Sequence, residues 1–179
     1  MKMRLFTLAL VMLLVAGCYV PISGRVIDAE TNAPVEGAVV LVEWTKTKGY
    51  GFTYTESVKV AEALSDKDGK FGLPGCFSLF VNEPDVTVYK KGYVAWNNLI
   101  IFPFNQGRND FQWRSQYVIK LEKFKETYSY DDHYYFITSA AHLESASDHK
   151  QLLIKLYDAW ERGKAISERN ERRKGGDHQ

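Results

Sequence analysis

The sequence predicts a mainly β protein, an antiparallel β-sandwich followed by an amphipathic C-terminal α-helix. Two observations carry this prediction. Between residues 22 and 121, short runs rich in β-branched and aromatic residues alternate with Gly, Pro, Asn and Asp turn signals, a pattern typical of sandwiches. From about residue 140 the chain is rich in Ala, Leu, Glu and Lys and contains no proline, which favours a helix.

The chain begins with a segment typical of an export signal. Lys2 and Arg4 precede an apolar run over residues 5–15, and the run closes on Ala16-Gly17-Cys18. A membrane-spanning helix needs about 20 apolar residues, more than this run supplies. A basic start, a short apolar stretch and small residues before a cleavage point instead make a secretory signal. We therefore expect residues 1–17 to be removed.

A cysteine directly after Ala-Gly makes this segment resemble a bacterial lipoprotein signal. The resemblance implies that Cys18 is acylated, with palmitate-type chains, and becomes the new N-terminus, followed by a linker over residues 18–21. Two or more acyl chains hold a protein stably on a membrane, whereas one holds it only marginally. Because Tyr19 rather than Asp follows the cysteine, the resemblance favours the outer membrane of the cell envelope.

The charge of the mature chain argues against one class of partner. Removal of Lys2 and Arg4 leaves 21 basic and 22 acidic residues among the remaining 162, a net charge of −1. Nucleic-acid binding requires a concentrated basic field, so no such partner is expected. With Cys18 acylated, Cys76 is the only thiol left, and an intramolecular disulfide is impossible.

The strands are predicted in order along the chain, from the segment after the linker to residue 121. In the third predicted strand polar and apolar residues alternate, which makes Tyr54, Val58 and Val60 candidates for inward positions. The second predicted strand is a run of β-branched and large apolar residues, which indicates a buried strand. The predicted strands cover residues 22–28, 37–44, 52–63, 70–74, 85–89 and 116–121.

One turn between these strands invites a calcium interpretation. Asp66-Lys67-Asp68-Gly69 lacks a third oxygen ligand before the glycine, and residue 75 is Gly where a calcium loop needs a bidentate Glu. A hairpin with Asp-Gly at its turn explains the same residues without metal. We therefore predict a hairpin turn here and no metal site.

Four ordered motifs over residues 22–121 resemble carboxypeptidase regulatory-like domains. They read Gly24-x-Val26-x-Asp28, Thr31-x-x-Pro34-Val35-x-Gly37-Ala38-x-Val40, Ser65-Asp66-x-x-Gly69-x-Phe71-x-Leu73-Pro74 and Val86-x-Val88-x-Lys90-x-Gly92-Tyr93. The resemblance implies a transthyretin-like, prealbumin-type sandwich. It supplies no catalytic residues, because in carboxypeptidases this domain is an accessory to a separate zinc-binding catalytic domain. Residues 46–62 and 96–113 depart from the family pattern.

The second departure is an aromatic stretch that we interpret in two ways. Trp96, Phe102, Phe104 and Trp113 lie among several Asn and Gln residues. Flat rings beside amides can bind a glycan or a peptide, which makes these four residues a candidate ligand surface. Most aromatics in such sandwiches fill the core instead, where each buries some 150–250 Å². The exposure of Trp96 and Trp113 separates the two interpretations.

The remaining reactive side chains form no recognisable catalytic set. His142 and His149 are seven residues apart, about 10 Å along a helix, which is too far for two ligands of one zinc ion. His133 and His178 belong to no spaced ligand motif, and a Gly-x-Ser-x-Gly nucleophile motif is absent. Cys76 is interpreted as a small buried hydrophobe, or as a partner in a disulfide to another chain. The sequence therefore predicts no enzyme, no cofactor and no metal.

The last quarter of the chain predicts the helix. Apolar residues recur there at one-, three- and four-residue intervals, the spacing of one helix face. We place a connector rich in aromatic and acidic residues at 122–139, the helix at 140–174 and a disordered tail at 175–179. The predicted docking face consists of Leu152, Leu153, Leu156, Tyr157 and Trp160.

These elements lead to two hypotheses about function. The first is a lipid-anchored, non-enzymatic envelope protein that acts as an interaction or scaffolding module for another envelope protein. The second is a lipoprotein that binds a glycan or a peptide through residues 96–113. Both place the protein on a membrane of the bacterial envelope, most simply the outer one, facing the periplasm or the cell surface.

Overall fold

The computed structural model describes residues 21–76, 78, 80–112, 116–143 and 150–176. Within these ranges the chain forms strands followed by helical segments. The strands are β1 Ile22–Asp28, β2 Val39–Lys48, β3 Tyr54–Leu64, β4 Lys70–Leu73, β5 Asp85–Tyr89, β6 Trp96–Asn97, β7 Ile100–Ile101, β8 Gln106–Gly107 and β9 Tyr117–Leu121. The helical segments are α1 Tyr130–Ala140, α2 Gln151–Tyr157, a π-helical turn Asp158–Arg162 and α3 Gly163–Gly176.

Two sheets face each other and confirm the predicted mainly β sandwich. One has the order β4-β1-β9 and the other β3-β2-β5-β6, while β7 and β8 form a short separate ribbon. Both sheets contribute side chains to the core between them, including Val26, Phe71 and Ile119 from the first and Val40 and Val88 from the second. One pairing differs from the antiparallel expectation, because β1 and β9 run parallel. The long chain between them allows the crossover that a parallel pair needs.

Strand β2 is buried on both faces, because the sandwich has a third layer. Alternate residues of a strand point to opposite faces. Val40 and Val42 enter the core between the sheets, whereas Val39 and Leu41 enter a second core beneath the helices. This double burial explains why the sequence of β2 is an almost continuous apolar run.

Strands β2 and β3 continue beyond the sandwich as a projecting hairpin, which we define as residues 45–57. The pairing shifts between Trp44 and Thr45 and then continues to the tip. Tyr54 and Val58, predicted to point inward, are exposed by 61% and 38%. That prediction is wrong because alternation identifies two faces of a strand but does not place a second sheet opposite either face.

The start of β1 lies at the end of the sandwich from which the hairpin projects. Ile22 pairs with Leu73 at the end of β4, and the Lys59 ammonium on β3 donates to the carbonyl of Gly75 at 2.6 Å. The opposite end holds the turn after β3, where the N–H of Gly37 donates to the carbonyl of Ser65. We call these the hairpin end and the turn end of the sandwich.

The Asp66–Lys70 turn is closed by its own hydrogen bonds. The Asp66 carboxylate accepts from the N–H groups of Asp68 and Lys70 at 2.9 and 2.8 Å. Gly69 has a φ of 75°, and a Cβ on it would clash with the carbonyl oxygen of Val26, so only glycine fits. The turn lies where the sequence predicts it, but the predicted hairpin is wrong, because the turn passes the chain from β3 in one sheet to β4 in the other, where β4 pairs with β1.

Two residues of the motifs that carry the family resemblance contact each other at the turn end. The Asp28 carboxylate accepts from the N–H groups of Thr31 and Glu30, and these bonds lower its pKa to about 2. Tyr93 donates its hydroxyl proton to the other oxygen of Asp28 at 3.1 Å. The two motifs therefore hold the first turn against the segment that leaves β5.

The helices pack on the outer face of the four-stranded sheet. The predicted connector 122–139 is wrong in part, because α1 begins at Tyr130, where the Ser129 hydroxyl accepts from the N–H of Asp132. The C-terminal helix does not begin at 140: α1 ends there and α2 starts at Gln151. The tail prediction is also wrong in part, since α3 reaches Gly176; residues 177–179 lie outside the described ranges. No helix among the described residues is long and apolar enough to cross a membrane.

The buried stripe of the C-terminal segment is Leu153, Tyr157, Glu161 and Ala165. Of the predicted docking face, Leu153 and Tyr157 are buried, Leu152 and Trp160 are half-buried, and the side chain of Leu156 is not described. A spacing of four residues drifts around an α-helix of about 3.6 residues per turn. The wider π-helical turn at Asp158–Arg162 offsets this drift and keeps the stripe on the sheet.

Candidate functional site

A cleft opens where β9, an edge strand of the first sheet, approaches β6, an edge strand of the second. Its volume is about 460 Å³, in the range of about 300–1,000 Å³ usual for small-ligand sites. Among the described residues, its lining combines two cations and two anions with aromatic and aliphatic side chains, including Arg108, Lys120, Asp110, Glu122, Trp96, Phe102 and Val118. The cleft therefore carries no bias toward a ligand of one charge.

Arg108 covers the tryptophan in this cleft. Its guanidinium carbon lies 4.9 Å from the Trp96 ring centroid, a cation–π distance. Its Nε donates to the carbonyl of Asn97 at 2.7 Å, and its Nη1 lies 3.2 Å from the carboxylate of Asp110. These contacts fix the guanidinium plane over the ring, so a ligand in the cleft meets a prearranged cation.

The predicted aromatic ligand surface is divided by the fold. Trp96 and Phe102 are each only 8% exposed, and they belong to different cores, Trp96 between the sheets and Phe102 beneath the helices. Phe104 is 79% exposed, and Trp113 lies outside the described residues. Trp96 and Phe102 still reach the cleft with part of their surface. Core packing is therefore the main role of these two rings.

A buried ionic cluster lies between β2 and the chain that follows α1. The Lys150 ammonium is fully buried and donates to Glu43 Oε2 at 2.8 Å and to the carbonyls of Ala141 and His142 at 2.6 and 3.1 Å. His142 Nδ1 lies 3.6 Å from Glu43 Oε2 and 3.8 Å from Asp85 Oδ2. Sequence reasoning missed this cluster, since Lys150 and Glu43 are 107 residues apart.

The pKa values of the cluster follow from these contacts. Burial alone would raise the pKa of Glu43, but hydrogen bonds from His142 and Lys150 outweigh it and hold the pKa at about 2. The hydrogen bond to Glu43 raises the pKa of His142, and burial raises the pKa of Asp85. These ion pairs hold the segment before α2 against β2. Of the four side chains in the cluster, only that of His142 is substantially exposed.

A second buried polar group joins α1, the π-helical turn and the sheet. The N–H of Ala95 donates to His133 Nε2 at 2.8 Å, so the ring proton lies on Nδ1, which faces Glu161 Oε2 at 3.3 Å. The alignment of that contact falls short of a good hydrogen bond. Tyr89 donates to the other Glu161 oxygen at 3.3 Å, and burial together with that carboxylate raises the pKa of Tyr89.

The second of these groups is closed to a substrate. His133 and Glu161 are at most 1% exposed, so no substrate reaches them. Among the described side chains, no three His, Cys, Asp or Glu residues converge as metal ligands do. His149, His178 and the predicted lipidation residue Cys18 lie outside the described ranges. Cys76 has a free thiol, half-buried against the core between the sheets.

Comparisons with known proteins give remote structural matches only. No protein-family model matches the chain, and no curated protein matches it. A double mutant of the shaft pilin SpaA from Lactobacillus rhamnosus GG is similar at 18% identity and a TM-score of 0.34, covering 60% of this chain and 47% of the pilin. A streptococcal ancillary pilin is similar at 19% identity and a TM-score of 0.33, covering 60% of this chain and 30% of the pilin. The chain thus spans less than half of either pilin chain, and likeness this low carries no functional argument.

Proposed function

We propose that this chain is a lipid-anchored, non-enzymatic interaction module of the bacterial cell envelope. The observation that carries the proposal is the use of its buried ionisable groups. The Glu43–Lys150 and His133–Glu161 contacts hold the helical layer on the sheet, and each of these four side chains is at most 5% exposed. The buried polar groups therefore stabilise the three-layer fold. A stable fold of this kind suits a protein that presents a fixed surface to a partner.

The N-terminal signal supports the anchoring part of the proposal. Cys18 stands directly after Ala16-Gly17, and the first strand begins only four residues later, at Ile22. An acylated Cys18 thus holds the sandwich close to a membrane, with the hairpin end nearest to the anchor. The resemblance to carboxypeptidase regulatory-like domains, which are accessory modules, agrees with a non-catalytic role.

The anchoring is tested by mass spectrometry of the chain from native membranes. We expect acyl chains on a mature N-terminus at Cys18, and release or misprocessing of the Cys18→Ala variant. An unmodified Cys18 in a mature chain that starts elsewhere would refute the anchoring.

The interaction is tested by placing a photo-crosslinking residue at Val118 and, as a matched control, at Ile166. Val118 lines the cleft and is 48% exposed, and Ile166 on α3 is 46% exposed. We expect one envelope protein to be captured from Val118 and not from Ile166. Equal capture from both positions, or none from Val118, would count against a specific interface along β9.

A glycan- or peptide-binding lipoprotein is the second candidate, favoured by the cleft and its Arg108–Trp96 pair. Titration with short oligosaccharides and peptides should then change tryptophan emission in a saturable way. The Arg108→Met variant should lose this response, whereas Arg25→Met, outside the cleft, should keep it. A response that is absent, or unchanged in Arg108→Met, would exclude this function for the cleft.

A further inference from the structure

Exposed aromatic rings gather at the hairpin end of the sandwich. Tyr50 and Phe52 at the tip of the projecting hairpin are 105% and 96% exposed, and Tyr54 beside them is 61% exposed. Phe80, in the loop between β4 and β5 at the same end, is 91% exposed. Singly scattered apolar residues need no explanation, but a group of large rings on one projection indicates a binding surface.

The hairpin carries Tyr50 and Phe52 at the end of a paired stem. Its strands stay in register from Thr45 opposite Ser57 to Lys48 opposite Tyr54. The N–H of Asn82 donates to the carbonyl of Thr45 at 2.8 Å, which ties the Phe80 loop to the same hairpin. The strand pairing ends at Lys48 opposite Tyr54, so Tyr50 and Phe52 stand on the loop 49–53 at the end of the paired stem.

The tip is also the part of the sandwich that points toward the expected anchor. Ile22 lies at the hairpin end, and only four residue steps separate it from Cys18. Four extended residues span at most about 14 Å. A chain anchored through Cys18 therefore has its hairpin end facing the bilayer at short range, which raises the effective concentration of the tip at that surface.

The chemistry of the tip fits the boundary between lipid headgroups and acyl chains. Tyrosine and other amphipathic rings are enriched at that depth, where the ring is apolar and the hydroxyl stays wet. The cation Lys48 is paired with Glu56, so Lys46 alone leaves the hairpin weakly positive. Ring burial, rather than charge, is then the main source of affinity.

We infer that the tip of the projecting hairpin, Tyr50 and Phe52, is a second membrane contact that inserts into the lipid interface beside the anchor. The inference rests on the proposed lipid anchor for its orientation. Two contacts at the hairpin end fix the orientation of the sandwich on the membrane. The cleft and the helical layer then remain outside the membrane.

The test separates the hairpin from the anchor by using the chain from residue 18 with Cys18→Ser. The described fold begins at residue 21, so this chain retains every contact described above. Its partition into vesicles of phosphatidylethanolamine and phosphatidylglycerol is measured by co-sedimentation. The Tyr50→Ser/Phe52→Ser variant should partition at least about tenfold less, since two half-buried rings contribute about as much as one fully buried Phe. Circular dichroism verifies that each variant is folded.

Phe104→Ser is the matched control. Phe104 is 79% exposed, but it lies two residues from Phe102, which packs against Phe124 near the turn end. This variant should partition like the parent chain. Equal partition of the parent and the Tyr50→Ser/Phe52→Ser variant would overturn the inference. If this variant also loses a crosslinked envelope protein, the tip contacts a protein and not the lipid.

Failure of the anchor is distinguishable from failure of the tip. An unmodified Cys18 in the native chain would refute the proposed anchoring, whereas vesicle binding that depends on Tyr50 and Phe52 would still support the membrane contact. Acylated Cys18 together with a hairpin that does not bind vesicles would leave the proposed function standing and refute the inference.

Discussion

Replacing Leu153 by Ala tests which face of the C-terminal segment is docked on the sheet. Leu153 is fully buried beneath the helices, beside Tyr89 and Phe136, whereas its neighbour Leu152 is only half-buried. The sequence alone places both residues on the docking face. The two single substitutions therefore remove the same atoms from two positions that differ in burial.

The expected magnitude follows from the atoms removed. Leu153→Ala deletes three buried carbons, each worth about 0.8 kcal/mol, and leaves a cavity in a packed core. We expect a loss of about 3 kcal/mol in the free energy of unfolding. Leu152→Ala removes the same carbons from a partly solvated site and should cost about 1 kcal/mol.

The assay is urea unfolding of the chain from residue 18 with Cys18→Ser, followed by circular dichroism. The midpoint should fall in Leu153→Ala with an unchanged slope, which assigns the change to stability rather than to a different unfolded state. A cost for Leu152→Ala equal to or above that of Leu153→Ala would refute the register of the buried stripe. A cost below about 1 kcal/mol for both would refute docking of the segment altogether.

Three further substitutions test the polar contacts of the helical layer. Glu43→Gln should cost about 3 kcal/mol near neutral pH, because it leaves the buried Lys150 without its anion. It should also remove the stability that the parent loses as pH falls from 4.5 to about 2, the ordinary and folded pKa values of Glu43. His142→Gln should reduce the loss of stability that the parent shows as pH rises. The raised pKa of His142 stabilises the fold below pH 6.5, and this contribution disappears as pH rises through the folded pKa. Glu62→Ala should cost about 1 kcal/mol, because its carboxylate accepts from the first N–H groups of α2, those of Leu152 and Leu153, both at 2.9 Å.

Each of these predictions has a result that contradicts it. If the stability of Glu43→Gln falls in acid as much as that of the parent, then Glu43 is not the group responsible for this loss. A stability profile of His142→Gln that matches the parent above pH 6.5 would remove His142 from the linkage. Glu56→Ala is the control for Glu62→Ala: Glu56 forms a half-exposed ion pair with Lys48 and should change stability by less than about 0.5 kcal/mol. Equal effects of the two would refute the capping role of Glu62.

The strands were predictable because their signals are local. Residues 22–28 and 85–89 are strands with the predicted bounds, since short runs of β-branched and apolar residues end there at turn-forming residues. The helix Tyr130–Ala140 was missed because its aromatic and β-branched residues have low helix propensity, so tertiary packing decides its conformation. Its one local signal was the pair Ser129 and Asp132, the spacing of an N-cap.

The buried polar groups and the helix register were not predictable from one sequence. Lys150 and Glu43 are 107 residues apart, and a lysine is ordinarily expected on the surface. Glu161 occupies the buried stripe although an acidic residue in an amphipathic helix indicates the solvent face. The π-helical turn that carries Glu161 inward has no local sequence signature. Periodicity therefore predicted Trp160 on the docking face, where the structure buries Glu161.

The parallel pairing of β1 with β9 governs when the first sheet can be completed as the chain folds. Gly24 pairs with Tyr117, 93 residues later, so β1, the central strand of its sheet, lacks one neighbour until those residues have been synthesised. Closing so long a loop is entropically costly and slow. Until β9 arrives, β1 presents an open edge to other chains, and such edges template aggregation. The central strand of this sheet is thus completed late, and the yield of folded protein should depend on protection of its edge while the chain folds.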